Sequence, residues 1–247
     1  MQGLLTRQPC SEGLEAREAL YHPISQRVEC LLRLVMQLPS LLQQADTVIK
    51  LGDAEMSAGR EIQWQLTSLE ADFSEWLTMF RHDNVETLED YEETPMNDFE
   101  SVLLAPVGQS DAFTQALRFT SFLQATYYCI FWMCLVQLRR ARFDLTCLMH
   151  GKDSAEARYT SQRVADCADS LCQSAPYFLD TAKGTICRAL AVRAPLYFAS
   201  QWYEKREEPA KLGWCRALEN SIRAQTPHLS WEALLHWGFY NLSWLAF

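Results

Sequence analysis

The chain has 247 residues, of which 49% are apolar and 21% charged, enough to bury one large core or two small ones. Its formal net charge of -9 argues against direct binding of nucleic acid, because phosphate contacts need a basic surface. Nine glycines and nine prolines are too few for a fibrous or low-complexity chain, and the N-terminal stretch lacks the apolar run of a secretory leader.

Residues 1–22 show no sustained apolar periodicity and are expected to be a poorly ordered N-terminal segment, with one domain over 23–247. From Pro23 the sequence reads as helix. Val28, Leu31, Leu32, Val35 and Leu38 recur at steps of three and four, with Ser25 as an N-cap. Pro39 is expected to end or kink this helix, a second one running on to Leu51 before Gly52. Ile62, Leu66, Leu69, Phe73, Trp76, Leu77 and Phe80 predict an amphipathic helix of about 28 residues, with Asp53 placed to cap it.

The acidic stretch Asn84–Glu100 contains Pro95 and no apolar stripe, and reads as a solvated surface loop. A helical pattern then runs from about Ser110 to His150. Within it, Phe119–Leu138 is a run of twenty residues without charge. It holds Thr120, Ser121, Gln124, Thr126 and Gln137, and its period continues past Arg139, Arg140 and Arg142. Those polar groups are costly in lipid, so the run reads as the central helix of a soluble helical domain, not a membrane span.

Tyr159, Val164, Ala168, Leu171 and Cys172 predict a helix ended by Pro176. Three more follow: one around Ala194 and Pro195, which is expected to kink it, one over about Pro209–Gln225, and an aromatic-rich helix closing the chain. No segment alternates with the period of a strand. The fold class expected is all-α: a single irregular domain of about nine helices around a central apolar helix.

The search for chemistry is mostly negative. There is no nucleotide-binding glycine loop, no nucleophile elbow and no zinc-protease helix motif. His22, His82, His150, His228 and His236 do not share metal-ligand spacing, and Cys129/Cys134 and Cys167/Cys172 are five apart, which is wrong for a zinc finger. The nine cysteines read as reduced, mostly buried thiols in a reducing compartment. Asp144, Asp166 and Asp169 fall in apolar stretches, where ion pairs with Arg139, Arg142 or Arg163 are the simplest explanation. No catalytic residue, metal ligand or cofactor is assigned. The aromatic load of the C-terminal half points to Tyr127, Tyr128, Phe131, Trp132, Tyr197 and Trp202 as lining for an apolar ligand, core packing being the plainer alternative.

Four phrases in order carry a family resemblance. Leu31–Asp46 holds an apolar run, then Leu38-Pro39-Ser40-Leu41-Leu42, then a polar acidic end. Ser121–Arg140 is a helix rich in Ala, Tyr, Trp and Leu. Leu171, Cys172, Ser174, Pro176 and Tyr177 form the third phrase, and Pro195, Leu196 and Ala199, followed by Trp214 and Ile222, the fourth. Together they resemble the all-helical regulatory domain of fungal zinc-cluster transcription factors. The family's six-cysteine zinc cluster has no counterpart here, since only Cys10 and Cys30 lie in the first hundred residues.

The resemblance implies a nuclear or nucleocytoplasmic transcription-regulator-like domain without its own DNA-reading module, tied to fungal secondary metabolism. Its partners would be a small-molecule effector or a homo- or heterodimer with a related regulator. The alternative is an enzyme on the same scaffold that shapes or cyclises a polyketide or terpenoid intermediate; a pure interaction module is the third reading.

Overall fold

A computed structural model of the chain describes residues 11–52, 56–83, 91–99, 101–107, 111–180 and 186–225. Six helices and one two-stranded sheet make up the described residues: α1 (Ser11–Leu51), α2 (Met56–Asp83), β1 (Tyr91–Pro95), β2 (Gln115–Phe119), α3 (Phe122–His150), α4 (Ala155–Leu179), α5 (Ile186–Arg206) and α6 (Pro209–Gln225). Among the described residues the architecture is all-α in the main, with six helices where about nine were expected for the chain. The closing aromatic helix expected after Gln225, the cap at Asp53 and residues 1–10 lie outside the described residues.

Helix α3 is the centre. Seventeen of its 29 residues are buried, and it packs against α1, α2, α4, α5 and β2. A helix apolar nearly all round must be covered over most of its surface, and here a stripe through Thr126, Met133, Gln137, Arg140 and Asp144 is left partly open. No helix among the described residues is long and apolar enough to cross a membrane. The predicted faces of α1 and α2 point inward: Val28, Leu31 and Leu38 are buried, as are Ile62, Leu66, Leu69, Phe73, Trp76 and Phe80. Trp76 adds a tether, its indole Nε1 donating to the Arg27 carbonyl of α1 at 3.0 Å.

Two expectations about where helices stop are overturned at proline. Helix α1 is continuous through Pro23 and Pro39, so the two helices expected there are one, beginning at Ser11 rather than near Ser25. Residues 12–20 are rich in Ala, Leu, Glu and Arg, strong helix formers that extend it upstream. Helix α4 likewise runs past Pro176 to Leu179. A proline inside a helix forfeits one backbone bond. Beyond Pro39 lie buried Leu41, Ala45 and Val48, and beyond Pro176 lie buried Tyr177, Phe178 and Leu179. Burying those side chains offsets the lost bond. Where glycine was expected to stop α1, it does: Gly52 has φ +67°, a conformation other residues adopt at a cost.

The other correction lies before α3. The helix expected from about Ser110 begins at Phe122, and part of the acidic stretch expected to be loop is strand. Tyr91–Pro95 pairs antiparallel with Gln115–Phe119, Tyr91 opposite Phe119 and Glu92 opposite Arg118. Ala116, Leu117 and Phe119 are buried, and β2 packs on α4. A pairing partner some twenty residues away has no local signature, so periodicity alone missed it. The start of α3 is a Ser-x-x-Gln cap. Ser121 Oγ accepts from the Gln124 amide at 3.1 Å, and Gln124 Oε1 accepts from the Thr120 amide at 3.1 Å and its hydroxyl at 2.6 Å.

Phe131→Ala and Trp132→Ala are each expected to cost about 3–5 kcal/mol in urea unfolding, the range for truncating a buried aromatic. Ser121→Ala is expected to cost about 1 kcal/mol through loss of the cap. Near-neutral values at Phe131 and Trp132 would contradict the burial of that face.

Candidate functional site

Four of the six aromatic residues singled out from the sequence meet. Tyr127, Tyr128, Phe131 and Trp132 are buried on α3. Tyr127 lies edge-on to Phe80 at 5.4 Å and Trp76 at 6.4 Å, and Phe131 stacks on Trp76 at 6.2 Å. On the other flank Tyr128 and Trp132 contact Tyr91 of β1 and Phe119 of β2, and Phe119 meets Tyr177 of α4 at 5.3 Å. The rings therefore bind α2, the hairpin and α4 to α3. Burial pushes the Tyr127 phenol up to about 12. The two α5 residues are elsewhere: Trp202 is fully buried edge-on to Phe143 at 5.4 Å, and Tyr197 is 42% exposed beside Phe198.

Arg139 and Arg142 of α3 and Arg163 of α4, expected beside the aspartates, converge instead on Glu70 of α2. Arg139 and Arg142 are three apart and share a helix face. Arg139 Nε donates to Glu70 Oε1 at 2.7 Å, Arg142 Nη1 donates to Oε2, and Arg163 Nη2 of α4 lies 3.5 Å from Oε1. Arg139 Nη1 also donates to the Arg163 carbonyl at 2.9 Å and faces Cys167 Sγ at 3.0 Å. Burial acts to raise the Glu70 pKa, and the charges and hydrogen bonds of Arg139 and Arg142 outweigh it, so the carboxyl is held below its ordinary range. The cluster joins α2, α3 and α4 through one carboxylate.

The three aspartates find other partners: Asp144 takes Lys205 of α5, and Asp166 accepts from Gln162 at 2.8 Å. Asp169 is the acceptor at the centre of a second cluster, between α4, α5 and α6. Lys211 Nζ donates to both its oxygens, at 2.7 and 2.8 Å, and the Tyr203 hydroxyl donates to Oδ1 at 2.8 Å. The Lys211 ammonium also lies over the rings of Phe113 and Tyr203, at 5.8 and 5.4 Å. Burial acts to lower the Lys211 pKa, but its bond and attraction to Asp169, with Glu208, leave it raised.

Beneath this polar cluster two thiols meet. Cys172 Sγ of α4 and Cys215 Sγ of α6 are 3.4 Å apart, both buried, and the Tyr203 oxygen is 3.8 Å from Cys172 Sγ. The helix period makes the constellation: Asp169 and Cys172 are three apart on α4, and Lys211 and Cys215 four apart on α6, so each helix presents its charged and its thiol residue on one face. Burial, then contact with Cys215, pushes the Cys172 thiol well up. Burial also drives the Tyr203 phenol far up, reinforced by Cys172 and Asp169. Sequence reading weighed Cys172 only against Cys167. A sulfur partner 43 residues away carries no local signal.

On the outer side of α1 and α2 a groove of about 400 Å³ opens, lined by Gln37, Ser40, Gln44, Trp64 and Asp72 among others. Trp64 is 66% exposed there. Among the described residues, no set of three or more His, Cys, Asp or Glu side chains is placed to hold a metal ion.

The fold and these clusters define the class: a mainly helical protein organised around one buried helix, with two polar clusters holding its flanking helices. No family model, no curated protein and no solved structure matches the chain.

Glu70→Gln is expected to cost about 3 kcal/mol, because it leaves three guanidiniums facing a neutral amide. The folded-state carboxyl sits below its unfolded value, so its stabilisation is full above the ordinary carboxylate range and is lost as pH falls through the folded pKa. Urea unfolding at stepped pH should therefore show an acid-side loss of stability that is flattened in Glu70→Gln. An identical acid limb in the two proteins would mean that Glu70 is not held by the arginines.

Proposed function

We propose that this chain is a regulatory helical domain of the type found in fungal zinc-cluster transcription factors. It works in the nucleus by answering a small-molecule effector or by pairing with a related regulator, without reading DNA itself. One observation carries the reading. The four phrases on which the resemblance rests fall on α1, α3, α4 and, for the fourth, on α5 and α6; α1, α4 and α5 pack on α3, and α6 packs on α5. The placement of the phrases within one packed unit supports the reading. The charge of -9 is in keeping with a domain that leaves phosphate contacts to another module.

The enzyme alternative has less support. The rings of Tyr127, Tyr128, Phe131 and Trp132 are taken up by contacts with one another and with Trp76, Phe80, Tyr91 and Phe119. Tyr197 and Trp202 stand apart from them on α5. A substrate-shaping cavity would need those faces turned toward an open volume.

The test is a fusion of the chain to an unrelated DNA-binding module, read on a reporter gene in a fungal host. Reporter output is expected to change severalfold when metabolite extracts from the source organism, or a co-expressed related regulator, are supplied. Output indifferent to both overturns the regulatory reading. Turnover of an extract component by the purified chain would favour the enzyme.

A further inference from the structure

We infer that Cys172 and Cys215 are a peroxide-oxidisable pair that closes to a reversible disulfide between α4 and α6. The inference stands apart from the regulatory reading. The two sulfurs are 3.4 Å apart, and a disulfide bond is about 2.05 Å long. Two other buried sulfurs face different groups: Cys129 lies 3.2 Å from Ser174 Oγ, and Cys167 lies 3.0 Å from the Arg139 guanidinium.

What distinguishes this pair further is a route for its proton. The Tyr203 hydroxyl, which donates to Asp169 Oδ1 at 2.8 Å, also lies within hydrogen-bond reach of Cys172 Sγ at 3.8 Å, so the phenol bridges the thiol and the carboxylate. Asp169 reaches half-buried surface, where Lys211 holds it. The chain Cys172, Tyr203, Asp169 therefore runs from a buried thiol to a carboxylate that solvent can reach.

The step balances with hydrogen peroxide as oxidant. Cys172 passes its proton along the chain, and its thiolate attacks one peroxide oxygen. The O–O bond breaks, Cys172 becomes a sulfenic acid, and the hydroxide that leaves takes up the proton. The Cys215 sulfur then attacks the Cys172 sulfur. The S–O bond breaks, and the second hydroxide leaves with the Cys215 proton as water. Two thiols are oxidised by two electrons and one peroxide is reduced to two waters. Burial makes the first attack slow compared with that on an exposed thiol such as Cys30, while the adjacency of Cys215 makes the closure fast. The bond ties α6 to α4 across 43 residues and is undone by thiol reductants.

The experiment treats the full chain with hydrogen peroxide, blocks remaining thiols under denaturing conditions, and maps linked peptides by mass spectrometry. The expected product is a Cys172–Cys215 peptide two hydrogens lighter than its parts, absent after reduction, together with a higher thermal unfolding midpoint. Tyr203→Phe is expected to slow its formation severalfold while Cys30 oxidises at its usual rate. Oxidation of Cys30 without the linked peptide overturns the pair, as does a linked peptide joining either cysteine to another. An unchanged rate in Tyr203→Phe overturns the proton route. The map of the unsubstituted chain decides the pair even if that variant does not fold.

Discussion

The structure depends on α3 being buried over most of its surface. An apolar helix exposes too much surface to stand alone, and covering it takes α1 and α2, α4 and α5, and a strand. Each cover is held by a different kind of contact. Aromatic rings fasten α2 and the hairpin, and the Glu70 carboxylate fastens α2 and α4 near Arg139. At the far side, Phe143 meets Trp202 of α5, and Lys205 reaches back from α5 to Asp144. The polar residues within the buried face are satisfied by partners in the fold: Gln124 caps its own helix, Arg139 meets Glu70, and Thr146 accepts from Gln63.

Burying Arg139 and Glu70 together is a delicate arrangement. Taking both charges out of water is costly, and the attraction regained is of the same order. The balance tips because the carboxylate is approached by three guanidiniums, two of them bonding to it on separate oxygens, and because Arg163 is open enough to water to keep much of its hydration. Such a cluster specifies how α2, α3 and α4 are placed more than it adds to net stability. The Asp169 cluster does the same for α4, α5 and α6, with one difference: its polar network continues into a pair of buried thiols.

The thiol pair sits where α6, the last described helix, meets α4, and Cys172 is itself a residue of the third phrase of the family resemblance. A disulfide that thiol reductants undo suits a signal rather than a permanent brace. The exposed Trp64 groove lies on the opposite pair of helices, α1 and α2, and remains a separate surface.

What the sequence by itself determined is the set of local, periodic features. Apolar residues at steps of three and four placed α2 and α6 closely, and Gly52 marked the end of α1. The charge-free run through Trp132 identified the buried centre, because these signals act within one or two turns of helix. The Ser121-x-x-Gln124 cap is local and legible in the same way. Only the tertiary structure decided the rest. Whether Pro39 and Pro176 end a helix depends on what the following turn buries. Whether Tyr91–Pro95 is loop or strand depends on a partner across an intervening segment. Which carboxylate takes Arg139, and which sulfur faces Cys172, depends on helices far apart in the chain. Ion pairs and thiol contacts carry no period, so they appear only once the chain has packed.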